Sequence, residues 1–130
     1  MRKAVIGLFL TILMLGWVAP ASASIQGKTY NVTATAYNSV RAQTQGNPTV
    51  AAWGDRLKPG MKAIAISRDL LGRGFKRGTK VKISGLPGEY VVLDKMGRRW
   101  QNKIDIYMGK DIHAARNWGR RKVTITVVEV

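Results

Sequence analysis

The chain of 130 residues carries only seven Asp or Glu side chains, no Cys and one His. Each carboxyl can therefore be weighed singly as a group able to lend and retake a proton. Asp105 stands inside Ile104-Asp105-Ile106-Tyr107-Met108. In a strand, successive side chains alternate faces, so Ile104, Ile106 and Met108 share one side, and Asp105 shares the other with Tyr107. With the Ile face filling a core, Asp105 lies on the outer wall beside an aromatic ring. Partial desolvation there favours its neutral, proton-donating form. Asp94 ends the apolar run Tyr90-Val91-Val92-Leu93-Asp94, a strand-end position of the kind that borders clefts. Purely structural roles are open too: Asp94 as a turn cap or a partner of Lys95 or Arg98, and Asp105 as a partner of Lys103 or of a backbone amide. Asp55, Asp69, Glu89, Asp111 and Glu129 read as turn, cap or terminal residues.

The missing cysteines exclude a disulfide scaffold, a thiol nucleophile and Cys-ligated zinc or iron–sulfur centres. The lone His113 excludes a multi-histidine metal centre and leaves a single Ser-His pairing available. No metal and no cofactor is expected. His113 itself reads as a surface or capping residue.

Strand-like alternation or short β-branched runs recur at 30–37, 63–66, 79–83, 90–94, 103–108 and 122–130. Turn signals separate them: Lys58-Pro59-Gly60, the glycines between 72 and 78, and Leu86-Pro87-Gly88. Six short strands in a small protein leave hazardous open edges unless the sheet closes, so a mainly β closed barrel is predicted. One helix is expected over 110–118, with Asp111 near its start and Gly119 as its stop. A further helical turn is expected at Arg68-Asp69-Leu70-Leu71, with Ser67 as its cap. Residues 38–54 lack periodicity and read as a loop.

Residues 1–23 have the form of a secretory signal: Arg2-Lys3, an apolar stretch from Ala4 to Val18, then Ala21-Ser22-Ala23. The apolar stretch is short of the ~20 residues that span a bilayer. The expected organisation is therefore a leader over 1–23, a linker over 24–28 and one barrel domain over 29–130. The product would be periplasmic or extracellular, with no lipid-modified cysteine and no transmembrane segment after cleavage, and monomeric. Twenty-two Lys and Arg give a net charge of +15, which attracts polyanions. With export, these are anionic envelope polymers rather than nucleic acid.

Several segments in order resemble the bacterial 3D domain, named for three aspartates: Val32-Thr33-Ala34-Thr35-Ala36-Tyr37, Ala63-Ile64-Ala65-Ile66-Ser67-Arg68-Asp69, Gly78-Thr79-Lys80-Val81, Val91-Val92-Leu93-Asp94-Lys95-Met96, Ile104-Asp105-Ile106-Tyr107 and Gly119-Arg120-Arg121. That family is similar to the C-terminal part of membrane-bound lytic transglycosylase A and to stationary-phase muralytic factors. The resemblance implies a six-stranded double-psi β-barrel of the rare-lipoprotein-A and expansin type. It also implies cleavage of peptidoglycan between N-acetylmuramic acid and N-acetylglucosamine, leaving a 1,6-anhydro end.

By the same resemblance Asp105 matches the catalytic aspartate and Asp94 the second one. The family's first aspartate corresponds to Ser67 here, with Asp69 two residues on. Asp94-Lys95-Met96-Gly97 stands where the family often has Asp-Thr-Gly-Gly. Substrate contacts are expected at Asp69, Ser67, Tyr37 and Thr35, although Thr35, Tyr37 and Trp53 suit core or barrel packing better than sugar stacking. The alternative reading is a non-catalytic wall-binding module of expansin type.

Overall fold

In the first strand, β1 (Thr29–Tyr37), Val32 and Ala34 are buried while Thr33, Thr35 and Tyr37 lie on the outer face. This alternation is what a half-buried strand requires, and it recurs around the molecule. A computed structural model describes residues 24–40 and 47–130. The leader expected over 1–23 and part of the loop expected over 38–54 lie outside the described residues. The remaining elements are β2 (Ala63–Ile66), α1 (Arg68–Leu71), β3 (Lys80–Ile83), β4 (Tyr90–Lys95), β5 (Lys103–Tyr107), α2 (Ile112–Trp118) and β6 (Arg121–Glu129).

The strands close into a barrel in the order β1-β5-β2-β4-β3-β6. Two pairings are parallel, β1 with β5 and β2 with β4, and the others are antiparallel. Exchanging the first three strands with the last three maps every neighbouring pair onto a neighbouring pair and the two parallel pairs onto each other. The fold is thus two interlocked three-strand halves, the arrangement of a double-psi barrel. Parallel neighbours need crossover connections, so neither half can close alone.

The interior holds Ile64, Ile66, Val81, Val92, Ile104, Ile106, Ile125 and Val127, all buried, with Leu70 of α1 and Phe75 sealing one side. A second, smaller apolar cluster lies outside the barrel wall. There Ala51 and Leu57 pack on Ala63 and Tyr107, with Tyr37, Met61 and Leu93 at its margin. An isolated bridge between Val50 and Arg56 folds this segment back on itself. Part of the stretch read as an aperiodic loop is therefore a packed cover over the outer face of β5.

The helices fall close to expectation, with one correction. Asp111 caps α2 by accepting a hydrogen bond from the Ala114 amide at 2.9 Å. Ser67 occupies the capping position of α1, but its side chain makes no capping bond. Its hydroxyl instead accepts the Lys103 amide at 2.9 Å, while the Ser67 amide donates to the Lys103 carbonyl at 2.9 Å. A reciprocal bond to β5 outcompetes the local cap because the Lys103 amide is buried and needs an acceptor. Among the described residues no helix is long and apolar enough to cross a membrane.

Candidate active site

Strand register brings the two aspartates together. Asp105 of β5 lies opposite Thr35 of β1 on one side and Ala65 of β2 on the other. Ala65 in turn lies opposite Asp94 of β4. The row Thr35, Asp105, Ala65, Asp94 thus runs across four neighbouring strands on the outside of the barrel. Ala65 puts only a methyl group between the carboxyls, leaving a floor where a larger side chain would fill the space.

A β-bulge aims Asp94. The β2–β4 pairing runs Ala63 with Val91 and Ile64 with Val92, then skips Leu93 and resumes at Ala65 with Asp94. Val92 is fully buried, so strict alternation would turn Asp94 into the apolar interior. The extra residue rotates it to the outer face, a re-aiming typical of bulges beside functional sites.

Tyr37, Ala65, Asp94, Lys95, Met96, Gly97, Trp100 and Asp105 line one open cleft of about 220 Å³. Within it the two acids are held differently. Asp94 Oδ1 accepts the backbone amides of Ala52 at 2.7 Å and Lys95 at 2.9 Å. Its Oδ2 faces the Tyr37 hydroxyl at 3.4 Å. Asp105 Oδ1 accepts a single bond from the Thr35 hydroxyl at 2.9 Å. Burial pushes the Asp105 carboxyl above its ordinary value and the nearby charge of Asp94 adds to this, while the Thr35 bond and the Lys103 charge only partly oppose it. Burial, followed by the charges of Asp94 and Asp105, pushes the Tyr37 phenol far above its ordinary range. Tyr37 therefore stays protonated and donates to Asp94. The arrangement holds a readily protonated acid beside a well-hydrogen-bonded carboxylate.

The other residues singled out from the sequence divide between the site and its support. Tyr37 lines the cleft and Thr35 reaches it through Asp105. Ser67 is fully buried and engaged with β5. Asp69 Oδ2 accepts the Asn102 amide at 2.9 Å. Burial works to raise the Asp69 carboxyl, but the Ser67 hydroxyl, the Asn102 amide and the charge of Arg73 outweigh it and hold it below its ordinary value. Asn102 is the one described non-glycine residue with positive φ, at 50°, a conformation that asparagine tolerates better than most residues. Ser67 and Asp69 therefore clamp the turn that leads into β5, behind the cleft rather than within it.

Sequence reading offered Lys103 only as a partner of Asp105 and missed Trp100. Lys103 shares the outward face of β5 with Asp105, so its parity was legible, yet it is only 6 % exposed. Its ammonium lies 3.6 Å over the Trp100 ring, which is what makes burial of that charge tolerable. No local pattern in the sequence pairs these two. Lys95 lies similarly over Trp53, at 5.4 Å. Among the described residues, no group of three or more His, Cys, Asp or Glu side chains is gathered to hold a metal.

A second cavity of about 270 Å³ opens on the far side of Tyr107, between Lys62, Tyr90 and Asp111. Asp111 is the only acid among its lining residues, and it caps α2. Neither a protein-family model nor a curated protein matches the chain.

Proposed function

We propose that this protein is a peptidoglycan lytic transglycosylase-like enzyme that cuts the glycan strand between N-acetylmuramic acid and N-acetylglucosamine outside the cytoplasm. The reading combines the resemblance of its segments to the 3D domain with one structural observation. Asp105, a carboxyl biased toward its neutral form, and Asp94, a hydrogen-bonded carboxylate, line the same open cleft across the small side chain of Ala65.

In this mechanism the Asp105 carboxylic acid donates its proton to the glycosidic oxygen. The bond from C1 to that oxygen breaks, and its electron pair leaves with the departing sugar. The oxocarbenium-like sugar develops positive charge, which the Asp94 carboxylate and the Asp105 carboxylate just formed both favour. The sugar's own C6 hydroxyl oxygen then bonds to C1, and its proton returns to Asp105. Water enters no step, and the acid is regenerated. Thr35 orients Asp105, and Tyr37 with the Ala52 and Lys95 amides keeps Asp94 in place.

Digestion of purified sacculi, read by mass spectrometry, tests this. The wild type is expected to release 1,6-anhydro muropeptides, and Asp105→Asn to release none while retaining its circular dichroism spectrum. Undiminished release by the variant would remove Asp105 from the chemistry. A non-catalytic wall-binding module is the second reading, favoured by the way both Asp94 oxygens are taken up by protein donors. It requires salt-sensitive co-sedimentation with sacculi and no new glycan ends.

A further inference from the structure

At one end of the cleft, around Trp100, lie cations that form no salt bridge among the described residues. The Arg99 guanidinium lies 4.5 Å from the centre of the Trp100 ring, and the Lys103 ammonium 3.6 Å over it. Trp100 itself lines the cleft that holds Asp105. Arg120 directly precedes Arg121 of β6, which lies opposite Ala34 of β1, the neighbour of Thr35 in the row that holds Asp105. After burial its charge, with that of Arg99, helps hold the Lys103 ammonium below the usual lysine value. All seven acidic side chains fall among the described residues, where the ion pairs are Arg77 with Asp55 and Lys80 with Glu129. Asp105 is the single carboxylate whose charge favours the Lys103 ammonium. When Asp105 carries the proton that acid catalysis needs, that compensation disappears. Mutually repelling cations around an aromatic platform are costly unless an anion arrives to share them.

We propose that Arg99 and Arg120, backed by the fixed charge of Lys103, form a carboxylate-binding subsite at the Trp100 end of the cleft, which seats the free lactyl carboxylate of a muramyl sugar that has lost its stem peptide. The identity of the ligand rests on the glycan-cleaving reading above. The two exposed guanidinium groups present paired N–H donors that match a carboxylate. Lys103, being buried, adds charge without needing to reorganise. A carboxylate bound there would also favour the protonated form of Asp105, coupling recognition of the correct sugar to readiness of the acid.

Calorimetry with two glycans of equal length tests the subsite. Denuded peptidoglycan strands carry a lactyl carboxylate on every second sugar, whereas chito-oligosaccharides share the backbone and lack the acid. The wild type is expected to bind the denuded strands about tenfold more tightly, as one charge-assisted contact implies. The margin should shrink as salt is raised. Arg99→Gln combined with Arg120→Gln should abolish the preference and leave chito-oligosaccharide affinity unchanged. Both side chains are exposed, so the fold is expected to survive, and Lys103→Met provides an independent variant that should weaken the same preference.

Equal affinity of the wild type for the two glycans, or a preference that persists in the double variant, overturns the proposal. A wild type that prefers denuded strands but releases no anhydro ends keeps the subsite and loses the enzyme. One that cleaves without the preference keeps the enzyme and loses the subsite.

Discussion

Burying a carboxyl makes its ionised form the costly one, and at Asp105 this has a measurable sign. Its native value is raised above the ordinary 3.8 of the unfolded chain. Between those two values the native state holds more protons than the unfolded state, so stability falls as pH rises through that window and stays reduced above it. Asp105→Asn removes the titration while keeping an acceptor for the Thr35 hydroxyl. The variant should therefore melt at a higher temperature than the wild type at pH 7, and the gap should close below about pH 3.9. Thermal scans across pH check this. A constant gap at all pH values would mean that burial of the charge is not its cause. At this scale the outward direction of Asp105 was legible, because the alternation of isoleucines around it leaves one choice. The burial of Lys103 was not, because the ring that shelters it comes from the loop before the strand and no periodicity marks the pair.

The segment containing Ala51 to Leu57 owes its position to a few anchors at the level of elements. Ala51 and Leu57 are buried against Tyr107 and Ala63, and the Ala52 amide is held by Asp94. Asp94→Ala would leave that amide and the Lys95 amide without their acceptor, whereas Asp94→Asn would retain one. Hydrogen exchange should therefore quicken at Ala52 and its neighbours in the alanine variant, and change much less in the asparagine variant. The strands themselves were readable, since alternating β-branched runs and Gly- or Pro-bearing turns mark them to within a residue or so. The bulge at Leu93 was not, because a skipped residue arises from pairing between strands and has no signature within either. It decides which way Asp94 points. Ser67 and Asp69 gave a related ambiguity. A serine before a short helix looks like a cap, and only the proximity of β5 turns it into a clamp.

The whole molecule draws its stability from closure, and closure depends on β6. Ile125 is fully buried, pairs with Tyr30 of β1 and with Ile83 of β3, and sits in the main core. Ile125→Ala should cost about 2–5 kcal/mol, the range for a truncated core isoleucine, and unfolding should remain a single transition because neither half of the barrel can close alone. Denaturant titration followed by tryptophan fluorescence and by circular dichroism should give coincident curves. Composition and turn spacing were enough to predict closure, but the pairing of β1 with β5 joins residues about seventy apart, beyond the reach of any local pattern. The strand that joins β1 to β3 follows both of them in the chain. Until it docks, two strand borders stay unsatisfied, and in a concentrated refolding mixture those borders would be free to zip onto a sister copy.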